Sequence, residues 1–187
     1  MTDSQNDTAI SGFSVVVQVI HQRFVSSVDF ETFTTHLETL LGRFDPTVQA
    51  LMATSPIEAA NRIRNMEGEQ GLMIFVILDH GSALNMAGKQ QRAKQYLIGN
   101  PLAAIQMTSY QIGAALYAPL RVLIYENAAG EAVAEYDQIT SLIQQFNDPE
   151  VSSVAAMLDI KLQRAATCGR AFQPNASPDL RCVGSHE

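Results

Sequence analysis

Apolar residues recur along this chain with two different periods, which together predict a protein built from both helices and strands. Between Phe30 and Phe44 the apolar positions are spaced by three or four residues, as on one face of a helix, so we predict a helix over residues 28–44. Three polar residues can cap its start: Ser26, Ser27 and Asp29. The dense β-branched residues from Phe13 to Phe24 predict a strand in front of this helix.

A second apolar run, at residues 72–78, is unbroken and ends in Asp79 and His80. A strand that is apolar on both faces is normally covered on both, so we expect this strand at the centre of a sheet. The stretch before it, residues 45–70, contains apolar positions on either side of Pro56. It predicts two short helices that lie against the core.

The remaining pattern alternates strands and helices. Further strands are predicted at 93–98, 120–126 and 131–136, and further helices at 81–87, within 102–116, at 138–146 and at 149–166. We expect an α+β fold with an antiparallel-rich sheet of four or five strands, packed by the first helix and the C-terminal helices. The chain divides into a polar leader at 1–11, one domain at 12–168 and an irregular tail at 169–187.

Four short motifs occur in a recognisable order. They are D-H at 79–80, L-I-G-N-P at 97–101, A-P-L-R at 118–121 and A-E-Y-D at 134–137. In this order they resemble the bacterial family called domain of unknown function 302, best over residues 71–137. The resemblance implies a compact TATA-binding-protein-like fold, with a curved antiparallel sheet backed by helices, and often a dimer. It implies no binding of DNA, because a fold does not carry a function with it.

The chain departs from this family pattern in two places. Residues 45–70 look inserted, because family members run almost directly from the first helix to the second strand. The family's Asp-Leu-Pro is Tyr117-Ala118-Pro119 in this sequence, so any role of that aspartate does not carry over.

The charge distribution argues against nucleic acid as a partner. The formal net charge is −7, and seven acidic residues but no Lys or Arg lie between Arg121 and Lys161. Such a surface repels phosphate backbones, whose binding depends on cationic contacts.

No apolar run approaches the roughly 18 residues of a membrane span, and residues 1–8 lack the features of a signal peptide. We therefore expect a cytoplasmic protein with no membrane partner.

In a reducing cytosol Cys168 and Cys182 are most simply free thiols. Together with His186 they could also supply three soft metal ligands, although the spacing is looser than in usual zinc sites.

The candidate site residues are polar positions at strand ends. His80 has the chemistry of a general base near neutral pH, or of a ligand to a metal or haem iron. Asp79, Asn100 and Tyr117 are its expected neighbours around a ligand pocket. The local alternative is that Asp79 caps the next helix and His80 hydrogen-bonds the backbone. If the two strands pair antiparallel, Asp79 and Asn100 would lie at opposite ends of the strand pair.

The common catalytic and nucleotide-binding motifs are missing, among them H-E-x-x-H, C-x-x-C, G-x-G-x-x-G and G-x-S-x-G. We therefore assign no catalytic residue and no identified cofactor. The leading hypothesis is a non-enzymatic domain, homodimeric, that binds a small apolar or amphipathic molecule. The alternative is a metal- or haem-binding protein, or an uncharacterised enzyme, organised around His80.

Overall fold

A six-stranded sheet forms the centre of the molecule in a computed structural model, which describes residues 12–167. The strands are β1 (His21–Asp29), β2 (Gly42–Arg43), β3 (Met73–Asp79), β4 (Ala93–Gly99), β5 (Leu120–Glu126) and β6 (Glu131–Asp137). Their order across the sheet is β1-β6-β5-β4-β3-β2. All neighbours are antiparallel except β2 and β3, which pair in parallel over two residues. The fold class is therefore α+β, as expected, with six strands where four or five were predicted.

The helices fill the connections between these strands. They are α1 (Phe30–Leu40), α2 (Gln49–Met52), α3 (Pro56–Met66), α4 (His80–Asn85), α5 (Pro101–Thr108), α6 (Ile139–Ile143) and α7 (Pro149–Thr167). Short 3-10 turns occur at Pro46–Val48, Glu69–Gly71, Ile112–Tyr117 and Gln144–Phe146. Among the three candidate caps of α1, Asp29 is the one used, and its carboxylate accepts from the backbone N–H of Thr32 at 2.9 Å.

The main core lies between one face of the sheet and the helices α1, α5, α6 and α7. Asp159 of α7 is a buried charged side chain beside this core. Its carboxylate accepts from the backbone N–H groups of Ile139 at 2.8 Å and Thr140 at 3.1 Å, and from the Thr140 hydroxyl at 2.6 Å. Asp159 therefore caps α6 from a neighbouring helix.

The helical stretch 45–70 contains the two predicted helices, α2 and α3, and a second buried cluster packs it against β3. Val48, Ala59, Ile63 and Met73 are buried together. The segment returns to the sheet where Gly68 passes Gly42 so closely that a Cβ on Gly68 would lie 2.2 Å from the Gly42 nitrogen. Only glycine allows such a close approach of two backbones. The backbone N–H groups of Gly42 and Gly68 both donate to the Leu72 carbonyl, so the two ends of the segment meet just before β3.

The first strand was predicted too early. β1 begins at His21, and residues 12–20, which we call the N-terminal arm, have no regular secondary structure. The reason lies in the partner strand. His21 pairs with Asp137, the last residue of β6, beyond which the chain turns into α6 and leaves no strand beside the arm.

The expectation that the 72–78 strand is central was also wrong. β3 is next to the sheet edge, and Val76 and Leu78 are each 42% exposed. Ile77, which lies between them in sequence, pairs with the buried Tyr96 and faces the main core. Successive side chains of a strand point to opposite faces, so Val76 and Leu78 lie on the face away from the main core. An apolar run shows that its residues favour burial. It does not show whether other elements cover both faces of the strand.

Candidate functional site

An apolar pocket of about 280 Å³ lies at one end of the sheet. It is bounded by Phe44 after β2, Phe75 of β3, Ile105 of α5, Pro119 before β5 and Leu158 of α7. Gln49 and Met52 of α2 and Ile139 of α6 also line it, so segments that are distant in sequence contribute to a single cavity. Concave, mostly apolar cavities of this kind are the usual sites for small molecules.

A stacked aromatic pair forms one wall of this pocket. The rings of Phe44 and Phe75 have centroids 4.4 Å apart and planes 25° apart. The β3–β4 register shifts between Ile74 and Val76, so Phe75 sits at an irregularity in the ladder. Such irregularities change the direction of a side chain relative to its neighbours in the strand. Here the affected side chain is Phe75, which lines the pocket.

The pocket is electrically neutral, since none of its lining residues is ionisable. Its polar lining side chains are Gln49, Asn100 and Thr108. Within residues 12–167, neither the Gln49 amide nor the Thr108 hydroxyl has a hydrogen-bond partner. The lining therefore suits an uncharged molecule, and these two side chains offer hydrogen bonds to a polar end of it.

Asn100 lines this pocket, but its amide is fully engaged elsewhere. Its Oδ1 accepts from the backbone N–H of Leu102 at 2.8 Å and so caps α5. Its Nδ2 donates to Glu67 Oε1 at 2.7 Å and to the Gly71 carbonyl at 2.9 Å. Asn100 thus ties α5 to the end of the helical stretch 45–70 and supports the pocket wall, but its amide is not available to a ligand.

Tyr117 lies in a neighbouring cleft of about 240 Å³. This cleft shares Ala118, Pro119 and Leu120 with the apolar pocket, so the two cavities have a common wall. The Tyr117 hydroxyl accepts from Gln145 Nε2 at 2.6 Å. Of the four predicted site residues, Asn100 and Tyr117 are therefore close together at one end of the sheet.

Asp79 and His80 lie at the other end. Along the β3–β4 pair, Met73 is opposite Gly99 whereas Asp79 is opposite Lys94. Asp79 caps α4, accepting from the Ser82 backbone N–H at 2.9 Å and from its hydroxyl at 2.5 Å. The hydrogen bond from the Ser82 hydroxyl holds the pKa of Asp79 below its ordinary value. This is the local capping role considered above.

Asp79 also lines a polar cleft of about 530 Å³. Its cationic walls, Arg92 and Lys94, are paired with carboxylates. Arg92 bonds Glu126, and Lys94 lies 3.3 Å from Glu38 Oε1. The cleft therefore offers no uncompensated positive charge to an anion.

His80 is exposed, and its Nε2 lies 3.2 Å from Gln95 Oε1. Across residues 12–167, no three His, Cys, Asp or Glu side chains are grouped as a metal site would require. The described part of the chain thus gives His80 no co-ligands. The alternative ligands Cys168, Cys182 and His186 lie outside the described residues.

A polar network that was not predicted from the sequence lies on the face of the sheet opposite the main core. His21 Nδ1 donates to Asp137 Oδ1 at 2.8 Å, and Arg23 Nε lies 2.9 Å from Glu135 Oε1. The hydroxyl of Tyr125 donates to the same Glu135 oxygen at 2.8 Å. The hydrogen bond to Asp137 raises the pKa of His21 above its ordinary value of 6.5. The network fastens β1 to β6 at the sheet edge.

Comparison with known proteins gives a family and a fold. The family model described as "Domain of unknown function DUF302" matches residues 47–167. A crystal structure titled as an uncharacterized conserved protein DUF302 from Bacillus stearothermophilus has a TM-score of 0.58 to this chain. The two are 15% identical, and the match covers 80% of this chain and 98% of that one. No curated protein matches the chain.

The family match begins inside the helical stretch 45–70, and whether that stretch is an insertion relative to other members stays a prediction. Within residues 12–167, no helix combines the length and apolar character needed to cross a bilayer.

Proposed function

The chain belongs to the family of domains of unknown function DUF302, and on that premise we propose that it is a non-enzymatic binding domain for a small, neutral, apolar or amphipathic molecule. The ligand occupies the apolar pocket beside Phe44 and Phe75. The observation that supports this proposal most directly is the lining itself. Among residues 12–167 it contains no ionisable side chain, and within the same range the side chains of Gln49 and Thr108 have no hydrogen-bond partner.

The size and polarity of the pocket narrow the ligand class. At about 280 Å³ it lies just below the range of roughly 300–1,000 Å³ typical of sites for drug-sized molecules. A single ring or a short branched chain suits this volume. Burial of its apolar surface drives binding at roughly 25 cal/mol per Å². A charged group would lose its hydration without gaining a partner, so ions are disfavoured.

A series of one-ring probes tests the proposal. The full chain is titrated calorimetrically with p-cresol, which is neutral, with benzoate, which is an anion, and with benzylamine, which is a cation. We expect p-cresol to bind, and the two ions to bind about tenfold or more weakly. Equal affinity for either ion, or no binding of p-cresol, contradicts the proposal.

The polar end of the ligand has its own test. Thr108→Val replaces a hydroxyl with a methyl group of similar volume in the pocket wall. We expect the variant to bind p-cresol more weakly and toluene, which has no hydroxyl, as the wild type does. Equal losses for both probes would mean that the substitution disturbed the shape of the pocket rather than one hydrogen bond.

A further inference from the structure

A further cleft, of about 480 Å³, lies between the helices α3, α5 and α7. Of its lining residues only Asn100 also lines the apolar pocket, so the two cavities are distinct. Two cationic side chains line this cleft, Arg64 of α3 and Lys161 of α7. The fold thus brings two positive charges from distant parts of the sequence to one cavity, in a chain whose formal net charge is −7.

Neither of these cations is neutralised by an ion pair. Within residues 12–167, carboxylates pair with five other Arg and Lys side chains, but not with Arg64 or Lys161. Arg64 donates only to a neutral partner, Asn61 Oδ1, at 2.9 Å. Lys161 is half-buried, and its ammonium group has no hydrogen-bond partner in the same range. This cleft therefore differs from the polar cleft beside Asp79, where both cations are paired.

One carboxylate, that of Glu67, lines the same cleft. Its Oε1 accepts from Asn100 Nδ2 at 2.7 Å. Its Oε2 and the Lys161 Nζ both lie near Gly71, where a Cβ would be 3.5 Å from the oxygen and 3.4 Å from the nitrogen, yet the two groups form no ion pair. Two cations and one carboxylate give the lining a formal net charge of +1.

An anion in the cleft would complete this arrangement. A half-buried ammonium group has lost part of its hydration, and proteins normally compensate for that loss with a paired group. Here the space beside Lys161 is a cavity. A guanidinium group offers several N–H donors in a planar fork that fits phosphate oxygens, and an ammonium group adds a point charge. The apolar side chains of Leu102, Ala103 and Met157 form the rest of the wall, against which a short carbon group can pack.

We propose that this cleft binds a small phosphate monoester. Its phosphate group lies between Arg64 and Lys161, and its organic part lies against the apolar wall. The volume of about 480 Å³ is within the range of roughly 300–1,000 Å³ typical of small-molecule sites. A phosphate dianion is favoured over a carboxylate because it brings two negative charges to two separate cations. The inference is independent of the neutral ligand proposed for the apolar pocket.

The first test compares charge-removing substitutions in the full chain. Calorimetric titration in a phosphate-free buffer should show that the wild type binds phenyl phosphate, and binds benzoate about tenfold more weakly. Arg64→Gln and Lys161→Gln should each weaken the binding of phenyl phosphate about tenfold or more. Arg164→Gln is the matched control, because it removes one positive charge from the same helix as Lys161 but Arg164 does not line the cleft. We expect this control to bind as the wild type does.

A second substitution tests the opposite direction. Glu67→Gln removes the negative charge from the cleft but keeps an oxygen that can accept from Asn100 Nδ2. We expect phenyl phosphate to bind about threefold or more tightly in this variant. A general loss of structure cannot produce such a gain. Phenyl phosphate should also raise the melting temperature of the wild type and of Arg164→Gln, but not that of Lys161→Gln.

Three results would overturn the proposal. They are a wild-type chain that does not bind phenyl phosphate, a loss in Arg164→Gln as large as that in Lys161→Gln, and benzoate that binds as tightly as phenyl phosphate. Ala104→Phe, which places a ring in the apolar pocket, should bind phenyl phosphate normally. Failure of this site and failure of the apolar pocket are therefore distinguishable.

Discussion

The ring of Phe44 stacks on the ring of Phe75 with 4.4 Å between their centroids. Phe44 precedes the helices α2 and α3, and Phe75 follows them in β3. The pair therefore closes the two ends of the helical stretch 45–70 against the sheet. Because both rings also line the apolar pocket, the packing of this stretch and the shape of the site depend on the same contact.

Filling the pocket should block binding without unfolding the protein. Ala104 of α5 lines the pocket, and Ala104→Phe places a ring inside it. Gln106→Phe is the matched control, because Gln106 is exposed on the same helix and does not line this pocket. We expect p-cresol binding, measured by calorimetry, to fall about tenfold or more in Ala104→Phe and to persist in Gln106→Phe. Unchanged binding in Ala104→Phe would place the site elsewhere.

His80→Ala should have little effect on stability or on the apolar pocket. His80 is exposed at the end of the sheet remote from the pocket, and surface substitutions of this kind usually change stability by less than about 0.5 kcal/mol. We expect the variant to melt with the wild type and to bind p-cresol equally well. Metal analysis and visible spectra of both proteins, purified from their own cells, test the alternative function. A stoichiometric metal or haem lost in His80→Ala would establish it.

Asp159→Ala should destabilise the fold. The buried carboxylate satisfies the N–H groups of Ile139 and Thr140, and leaving such donors unpaired costs roughly 1–3 kcal/mol. Urea denaturation measures the loss. Glu58→Ala serves as control, because Glu58 forms a surface pair with Arg62 and such pairs contribute about 0.5 kcal/mol or less. A loss in Asp159→Ala no larger than that of the control contradicts the capping role.

The stability of β1 at the sheet edge should depend on pH through His21. Its pKa is raised in the folded protein by the hydrogen bond to Asp137, so folding favours the protonated ring. This contribution is fully present below the ordinary value of 6.5 and is lost as pH rises through the folded-state pKa. His21 is half-exposed, so we expect less than about 1 kcal/mol.

Two measurements check this dependence. His21→Gln should lower the free energy of unfolding more at acidic than at alkaline pH, relative to wild type. In NMR titrations the pKa of His21 should lie above 6.5 in the wild type and fall toward it in Asp137→Asn. The same pKa in both proteins would show that Asp137 does not hold the proton on the ring.

Much of the secondary structure could be predicted because its causes are local. The strand at Leu120–Glu126 and the helix beginning at Pro149 follow from alternation, from three- to four-residue spacing, and from Pro at a helix start. The caps at Asp29, Asp79 and Asn100 involve residues no more than three positions along the chain. Interactions over so short a separation are encoded by the order of residues alone.

The candidate site could be predicted only in part. Asn100 and Tyr117 lie at or beside the apolar pocket, but Asp79 and His80 are at the opposite end of the β3–β4 pair. Phe44, which the periodicity assigned to the first helix, instead leaves that helix and forms a wall of the site. A phenylalanine that lines a pocket has the same sequence pattern as one that fills a core.

By itself, then, the sequence determined most of the strands and helices and, within each of them, which side chains share a face, but not where β1 begins or where α1 ends. Only the tertiary structure decided which strands are neighbours, which face is covered and where the elements part to leave a cavity. Alternation shows that Val76 and Leu78 lie together, but not that their face is bare. The physical reason is that strand order, register and layering come from contacts between distant segments, and those contacts form only when the whole chain packs.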